Sequence, residues 1–389
     1  MAQTAGAAQP KGTGAGQETI AFTRGVPDPA VLPAQQLAEC FAAVVQADPV
    51  GVLQYGQAAG YTPLRRLLAE RYRAGEDEVF VSNGSLQLMD LLAAHFVQPG
   101  QTVLVEQPSY DRAIGAYRRR GARVIGIPQQ RDGLDVERLE RQLRREVPAF
   151  LYTIPDFQNP AGVTLSADKR RRLVALAERH GFWIVEDVPY RLLRYQGDEP
   201  PALRDVALEQ GARRVITMSS HSKLVAPGLR VGHLIAPPEL VGALAKRGED
   251  TYLTPALPGQ AMIAEYLRRG WLEPNIEVLK RAYAPRWRAM VDAVRAHLPG
   301  TAVSEPEGGF FFSVMLPETA NTAGLLDRAK AHGLLLTDGR AFFADSDDGT
   351  PPPGDRFVRL PFCALTPEQI SDGVRRLAQV VSSSGPIAS

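Results

Sequence analysis

From about residue 49 onward, short runs of apolar, β-branched side chains alternate with longer stretches whose apolar positions recur every three to four residues. The short runs predict strands at 78–81, 102–105, 122–127, 150–153, 182–185 and 214–218. The longer ones predict helices at 62–72, 86–97, 109–120, 136–145 and 167–180, the first opened by Thr62 as a hydroxyl cap and Pro63 in the first turn. Strands this apolar are buried on both faces, so the alternation indicates an α/β domain: a mostly parallel sheet covered by helices. In such sheets, ligands bind beyond the carboxyl ends of the strands.

After a helical region at about 238–298 the character changes. A strand is expected at 308–314, a helix at 322–332 stopped by Gly333, strands at 334–336 and 357–360, and a final amphipathic helix at 367–381. This is a smaller α+β unit. The acidic segment 345–355, with its three prolines, reads as a surface loop, and no internal repeat is present.

Composition narrows the function. The chain has 389 residues, 44% hydrophobic and 22% charged, with a formal net charge of +1, an ordinary balance for one large and one smaller domain. Near-neutral charge gives no reason to expect nucleic acid or an anionic membrane as partner. The clusters Arg118-Arg119-Arg120 and Lys169-Arg170-Arg171-Arg172 fall on helical patterns with acidic residues nearby, which makes them solvated faces. Cys40 and Cys363 form neither a disulfide framework nor a metal pattern and suit a reducing cytoplasm. No run of about eighteen apolar residues predicts a membrane span. Residues 1–18, rich in Ala, Gly, Gln and Thr, read as a disordered tail without a signal-peptide core.

Chemistry gathers at the expected strand ends. Lysine is scarce, with six in the chain. One of them, Lys223, lies in Ser219-Ser220-His221-Ser222-Lys223 between the apolar runs 215–217 and 231–235, with Arg230 seven residues on. A partly desolvated amine near anion-binding groups suits imine chemistry. Ser82-Asn83-Gly84-Ser85 leads from a strand into a helix and exposes the free N–H groups of a helix start, an anion site. Ile154-Pro155-Asp156-Phe157-Gln158-Asn159-Pro160 follows a buried strand and would present Asn159 outward. Glu186 and Asp187 close another strand, so one of the two carboxylates must point into the crevice, with Tyr190 three residues later.

An anion cradle, an asparagine, a carboxylate, a phenol and an amine at successive strand ends are the parts pyridoxal 5′-phosphate needs. Here the chain resembles the fold-type I pyridoxal-phosphate aminotransferases (class I/II). Within them it looks most like the branch of 2-aminoadipate and kynurenine aminotransferases, which is related to the effector domains of MocR-type regulators. The residues that carry the resemblance include Gln54-Tyr55-Gly56, Gly60-Tyr61-Thr62-Pro63-Leu64-Arg65, Asn83-Gly84-Ser85, Pro108-Ser109-Tyr110 and Phe157-Gln158-Asn159-Pro160-Ala161-Gly162. They continue through Glu186-Asp187-Val188-Pro189-Tyr190, Ser220-His221-Ser222-Lys223 to Arg230, and Phe357-Val358-Arg359-Leu360-Pro361-Phe362. The set spans about residues 20 to 380.

The resemblance implies a large domain at 49–285 with a mostly parallel, seven-stranded type of sheet, a small C-terminal domain at 286–389, and an N-terminal arm at 19–48 lying on the small domain and the substrate pocket. It implies that Lys223 would form the imine with the cofactor and then act as the proton-moving base. Asp187 would pair with the pyridinium nitrogen, Asn159 and Tyr190 would hydrogen-bond the ring oxygen, and Tyr110 would stack on the ring. Gly84, Ser85, the backbone of Leu86, Ser220 and Arg230 would hold the phosphate. Tyr55 would reach the phosphate of a neighbouring subunit, making a homodimer with shared sites. Arg359 would clamp the substrate α-carboxylate through its planar fork.

Two positions depart from the family pattern. His221 is expected to face solvent or pack rather than touch the phosphate. Arg24, beside Gly25 in the segment that lines the substrate pocket of relatives, would favour an acidic side chain and thus glutamate or 2-oxoglutarate. The function expected is transfer of an amino group between an L-amino acid and a 2-oxo acid. The alternatives are another carbanion reaction on the same cofactor (lyase, decarboxylase or oxidase) or a ligand-sensing regulator domain. With only about twenty residues before the domain and no basic arm, DNA binding is not expected.

Overall fold

The computed structural model describes residues 18–320 and 322–382. The tail expected over 1–18 lies, up to Gln17, outside the described residues, as does the end of the chain beyond Ser382.

The apolar runs form one sheet. Across it stand Arg123–Gln130, Thr102–Gln107, Phe150–Thr153, Trp183–Asp187 and Val215–Ser220, all mutually parallel. Gly232–Ile235 then enters antiparallel between Val215–Ser220 and Val79–Ser82. These seven strands are the expected mostly parallel sheet. Helices cover both faces, and the strands Val79–Ser82, Phe150–Thr153 and Val215–Ser220 are buried throughout. The parallel strands run in one direction, so Gln107, Thr153, Asp187 and Ser220 all end at one edge of the sheet. The site is built there.

Thr62 is the first residue of its helix rather than its cap; Tyr61 takes the cap position and no side chain caps the helix. A helix at Leu203–Gln210 adds an element absent from the expectations. The acidic segment is not wholly a loop: Asp345–Ser346 adds an eighth, parallel strand beside Arg123–Gln130, and Ser346 Oγ accepts from Gln107 Nε2 at 3.0 Å. Arg138 grips Asp347 and Asp348 at 2.6 Å each, so acidic residues that read as solvated are paired. Two residues are too few to show a period.

The smaller unit pairs Phe311–Met315 antiparallel with Phe357–Pro361. The N-terminal strand Ile20–Phe22 runs parallel to Leu334–Leu336 of that unit. The helix Leu272–His297 runs continuously through positions 285 and 286, with Pro285 inside it. Helix Ala34–Ala47 lies against Leu257–Arg268, burying Leu37, Cys40 and Val44.

Candidate active site

Lys223 follows Val215–Ser220 in a turn and is largely buried. Its Nζ donates to the carbonyl of Gly25 at 2.7 Å and lies 5.6 Å from the centre of the Phe310 ring. Burial lowers its pKa to about 8, with the thiol of Cys363 and the carboxyl of Asp187 opposing. The amine is thus easier to deprotonate than an exposed lysine.

The two adjacent carboxylates at the end of Trp183–Asp187 separate by the alternation of a strand. Glu186 turns to one face, where its oxygens accept from the N–H of Leu203 at 2.7 Å and from Thr217 Oγ1 at 2.7 Å, capping the helix Leu203–Gln210. Asp187 turns to the other. Its Oδ2 accepts from the Tyr152 hydroxyl at 2.8 Å, and its buried Oδ1 has no partner among the described residues. Burial pushes the carboxyl up to about 7, against the pull of Tyr152 and Lys223.

Glycine makes the anion cradle. Gly84 adopts φ +89°, and a Cβ there would collide with the guanidinium of Arg230. Helix Ser85–Phe96 starts immediately after it with no side-chain cap, so the N–H groups of Ser85 and Leu86 stay free of helical partners. Arg230 reaches Ser222 Oγ at 3.5 Å, and Ser222 is hydrogen-bonded to Ser220 at 2.8 Å. Helix start, guanidinium and two hydroxyls surround one point, as a dianion requires.

Asn159 is buried rather than turned outward: its Oδ1 accepts from Arg359 Nη1 at 3.0 Å. The loop before it is tied down by Gln158 on Glu106 at 3.0 Å and by Arg170 on Asp156 at 2.7 Å; Arg170 and Lys169 are buried, so that basic cluster is not wholly the solvated face expected. Arg359, on Phe357–Pro361, lies between the rings of Phe311 and Phe342, 4.9 and 4.6 Å from their centres. Its Nη2 donates to the carbonyl of Thr23 at 2.6 Å, and its buried Nε has no partner among the described residues. Tyr190 is buried against Phe310 and Phe311 and within electrostatic reach of Tyr110, Asp187 and Arg359. Half-buried Tyr110 has its phenol pushed up to about 12 by burial.

The structure therefore brings together Lys223, Asp187, Tyr190, Tyr110, Asn159 and Arg359, with Gly84, Ser85, Ser220 and Arg230 grouped beside them. Arg24 and Tyr55 stand apart, both exposed, with Tyr55 at 76%. Gly25 is pressed on Phe311, with no room for a Cβ. His221 does not reach solvent. It is buried against His233, with ring centres 5.3 Å apart, and burial pushes it down to about 4. Of the two outcomes expected for it, packing holds.

Sequence reasoning missed Tyr152, Ser222, Cys363 and the carbonyl of Thr23. Ser222 lies inside the lysine segment already singled out and Thr23 directly precedes Arg24, whereas Tyr152 is one apolar-looking position in a buried strand and gave no signal. Pyridoxal phosphate fits this donor set. The orphaned Oδ1 of Asp187 suits a pyridinium N–H, and the uncapped helix start after Gly84, with Arg230 against it, suits its phosphate.

Comparison with known proteins agrees. Residues 20–377 match the family model "Aminotransferase class I and II". A 2-aminoadipate transaminase of Thermus thermophilus is 36% identical over 93% of this chain and 90% of its own. The α-aminoadipate aminotransferase of the same organism, solved with N-(5'-phosphopyridoxyl)-L-leucine, superposes with TM-score 0.86 at 34% identity, covering 94% of this chain and 92% of the other. A kynurenine aminotransferase of Pyrococcus horikoshii gives TM-score 0.88 at 32% identity over 96% and 92%. The chain belongs to the class I and II aminotransferases, pyridoxal-phosphate enzymes that move an amino group between an amino acid and a 2-oxo acid.

Proposed function

We propose that Lys223 is the residue that binds the cofactor covalently and moves the substrate proton, and that glutamate with 2-oxoglutarate is one of the exchanged pairs. The observation that carries the first part is the buried, partnerless Oδ1 of Asp187 in the same cleft as the lowered amine of Lys223. Bound pyridoxal phosphate supplies an aldehyde and an electron-withdrawing ring on which negative charge at the substrate α-carbon is dispersed.

The chain's own groups do the rest. Asp187 holds a proton on the ring nitrogen. The Tyr152 hydroxyl orients Asp187. Asn159 and Tyr190 meet the ring oxygen, and Tyr110 lies against the ring face. Gly84, Ser85, Leu86, Ser220 and Arg230 hold the phosphate. Arg359 receives the substrate α-carboxylate, with Asn159 fixing one arm of its fork and two phenylalanine rings excluding water. Lys223 Nζ would be the base that takes the proton from the substrate α-carbon and delivers it to the neighbouring cofactor carbon.

Support for an acidic side chain comes from Arg24. It is exposed, makes no hydrogen bond or ion pair with the described residues, and sits between Thr23 and Gly25, whose carbonyls touch Arg359 and Lys223. A panel of amino donors tests both assignments together. Arg24→Ala should lower kcat/KM about tenfold or more for glutamate while sparing apolar donors. Arg359→Lys should lower it for every donor, because lysine lacks the two-pronged fork. Unchanged glutamate kinetics in Arg24→Ala would remove Arg24 from the reading and leave Arg359 standing.

The same reading includes a homodimer in which Tyr55 reaches the partner's phosphate, supported by the exposure of Val50, Leu53 and Tyr55 along one stretch. It also includes the cytoplasm, supported by two free, buried cysteines and checked by cell fractionation. Among the described residues no helix is long and apolar enough to cross a membrane.

A further inference from the structure

Behind the cofactor cleft lies a second cavity, of about 320 Å³, on the opposite face of the same two strand ends. Glu186, Thr217 and Ser219 look into it, whereas Asp187 looks the other way. Its inner wall is Ser220, His221 and Leu224, so it shares the segment that carries Lys223. The volume falls at the small end of the range for ligand sites, roughly 300–1,000 Å³.

The lining has two chemistries. Leu68, Leu192 and Leu272 make it apolar on one side. On the other, four arginines (71, 73, 191 and 204) face two carboxylates, Glu186 and Asp205. Glu186 is consumed by the helix it caps and by Thr217, and Asp205 is paired with Arg73. Arg191 is held by Asp156 and Glu199. Among the described residues Arg71 pairs only with Glu273, whose side chain is 63% exposed, a screened contact that exchanges readily.

Arg204 is the least engaged of the four. Its side chain is 12% exposed, its Nε donates to the Tyr72 carbonyl at 3.3 Å, and its Nη2 makes only a long ion pair with Glu78, at 3.9 Å and beyond hydrogen-bonding distance. Neither Nη group has a hydrogen-bond partner among the described residues. A largely buried guanidinium whose two-pronged end is unused, facing an apolar wall, matches a carboxylate on an apolar body.

We propose that this cavity is a second ligand site, for a small apolar monocarboxylate, with the carboxylate on Arg204 and the body against Leu68, Leu192 and Leu272. An occupant presses on Ser220–Leu224 and so alters the surroundings of the cofactor attached at Lys223.

The probe is 3-phenylpropanoate, which has no amino or oxo group to exchange, titrated into cofactor-saturated protein by calorimetry while the cofactor absorbance is followed. Two binding sites per chain are expected, one lost in Arg359→Leu and the other in Arg204→Leu, the latter weakened about tenfold or more. Ala202→Phe, which fills the cavity without touching a charge, should remove the same site as Arg204→Leu. The absorbance change assigned to the second site should vanish with it. A single site abolished by Arg359→Leu, no binding, or a second site that survives both Arg204→Leu and Ala202→Phe would overturn the proposal.

Discussion

Replacing Asp187 with asparagine should stabilise the protein stripped of its cofactor while ruining the enzyme. The carboxyl ordinarily titrates at 3.8 and is pushed up to about 7 by burial. That difference, about three pH units at about 1.4 kcal/mol each, puts the cost of holding the buried carboxylate ionised on the order of 4 kcal/mol. Relaxation of the surrounding protein dipoles screens part of this, leaving about 2 kcal/mol. Asparagine keeps an oxygen to accept from Tyr152 and carries no charge, so it avoids that cost.

The sign follows from linkage. The folded group holds its proton up to about pH 7 and the unfolded group releases it near 3.8, so the wild-type protein loses stability as pH rises across that window. The cofactor-free Asp187→Asn protein should therefore melt a few degrees higher than wild type at pH 8 and by less than half that margin at pH 5. With cofactor bound, the order should reverse, because the ring N–H then needs an anion. Thermal melts at both pH values, with and without pyridoxal phosphate, read this out. A gap that is absent at pH 8, or as large at pH 5 as at pH 8, refutes the reasoning.

The lowered pKa of Lys223 has its own signature. Capture of pyridoxal phosphate by stripped protein, followed by stopped-flow absorbance, should accelerate as pH rises and level off above about 8, the value set by burial. A plateau reached only above about pH 10 would mean an ordinary lysine. Light scattering should give the mass of a dimer, and Tyr55→Ala should leave that mass unchanged while weakening cofactor retention about tenfold or more, about 1.5 kcal/mol or more for one hydrogen bond to a charged group. A monomer, or retention unaffected by Tyr55→Ala, would remove the shared site.

Much of this arrangement could be read from residues alone, for a physical reason. Buried parallel strands must be short and apolar, and each must end in a polar turn at the same edge. Asn159, Asp187 and Lys223 thus follow one another both along the chain and across the sheet, whereas Gly84, first in the chain, stands beyond them, past the antiparallel strand Gly232–Ile235. Contacts that depend on a distant element were opaque. Glu186 and Asp187 look equivalent until the helix Leu203–Gln210 claims the first, and that helix shows only a weak apolar stripe. His221, polar between two serines, is buried because His233 on the antiparallel strand faces it. Tyr152 holds Asp187 from the neighbouring strand, a pairing fixed by register.

The stub Asp345–Ser346 has a mechanical consequence. Peptide from the smaller unit is woven into the rim of the large sheet, and Arg138 clasps the two residues that follow. The helix Leu272–His297 runs on into the smaller unit without a break, and Ser304 Oγ on the Ala161 carbonyl at 3.1 Å and Ser109 N–H on the Phe342 carbonyl at 2.8 Å add further stitches. A part sewn down along a seam rather than hung from one cord resists sliding, because any shear would tear out the stub. Arg359 is thus carried at a set height above Lys223.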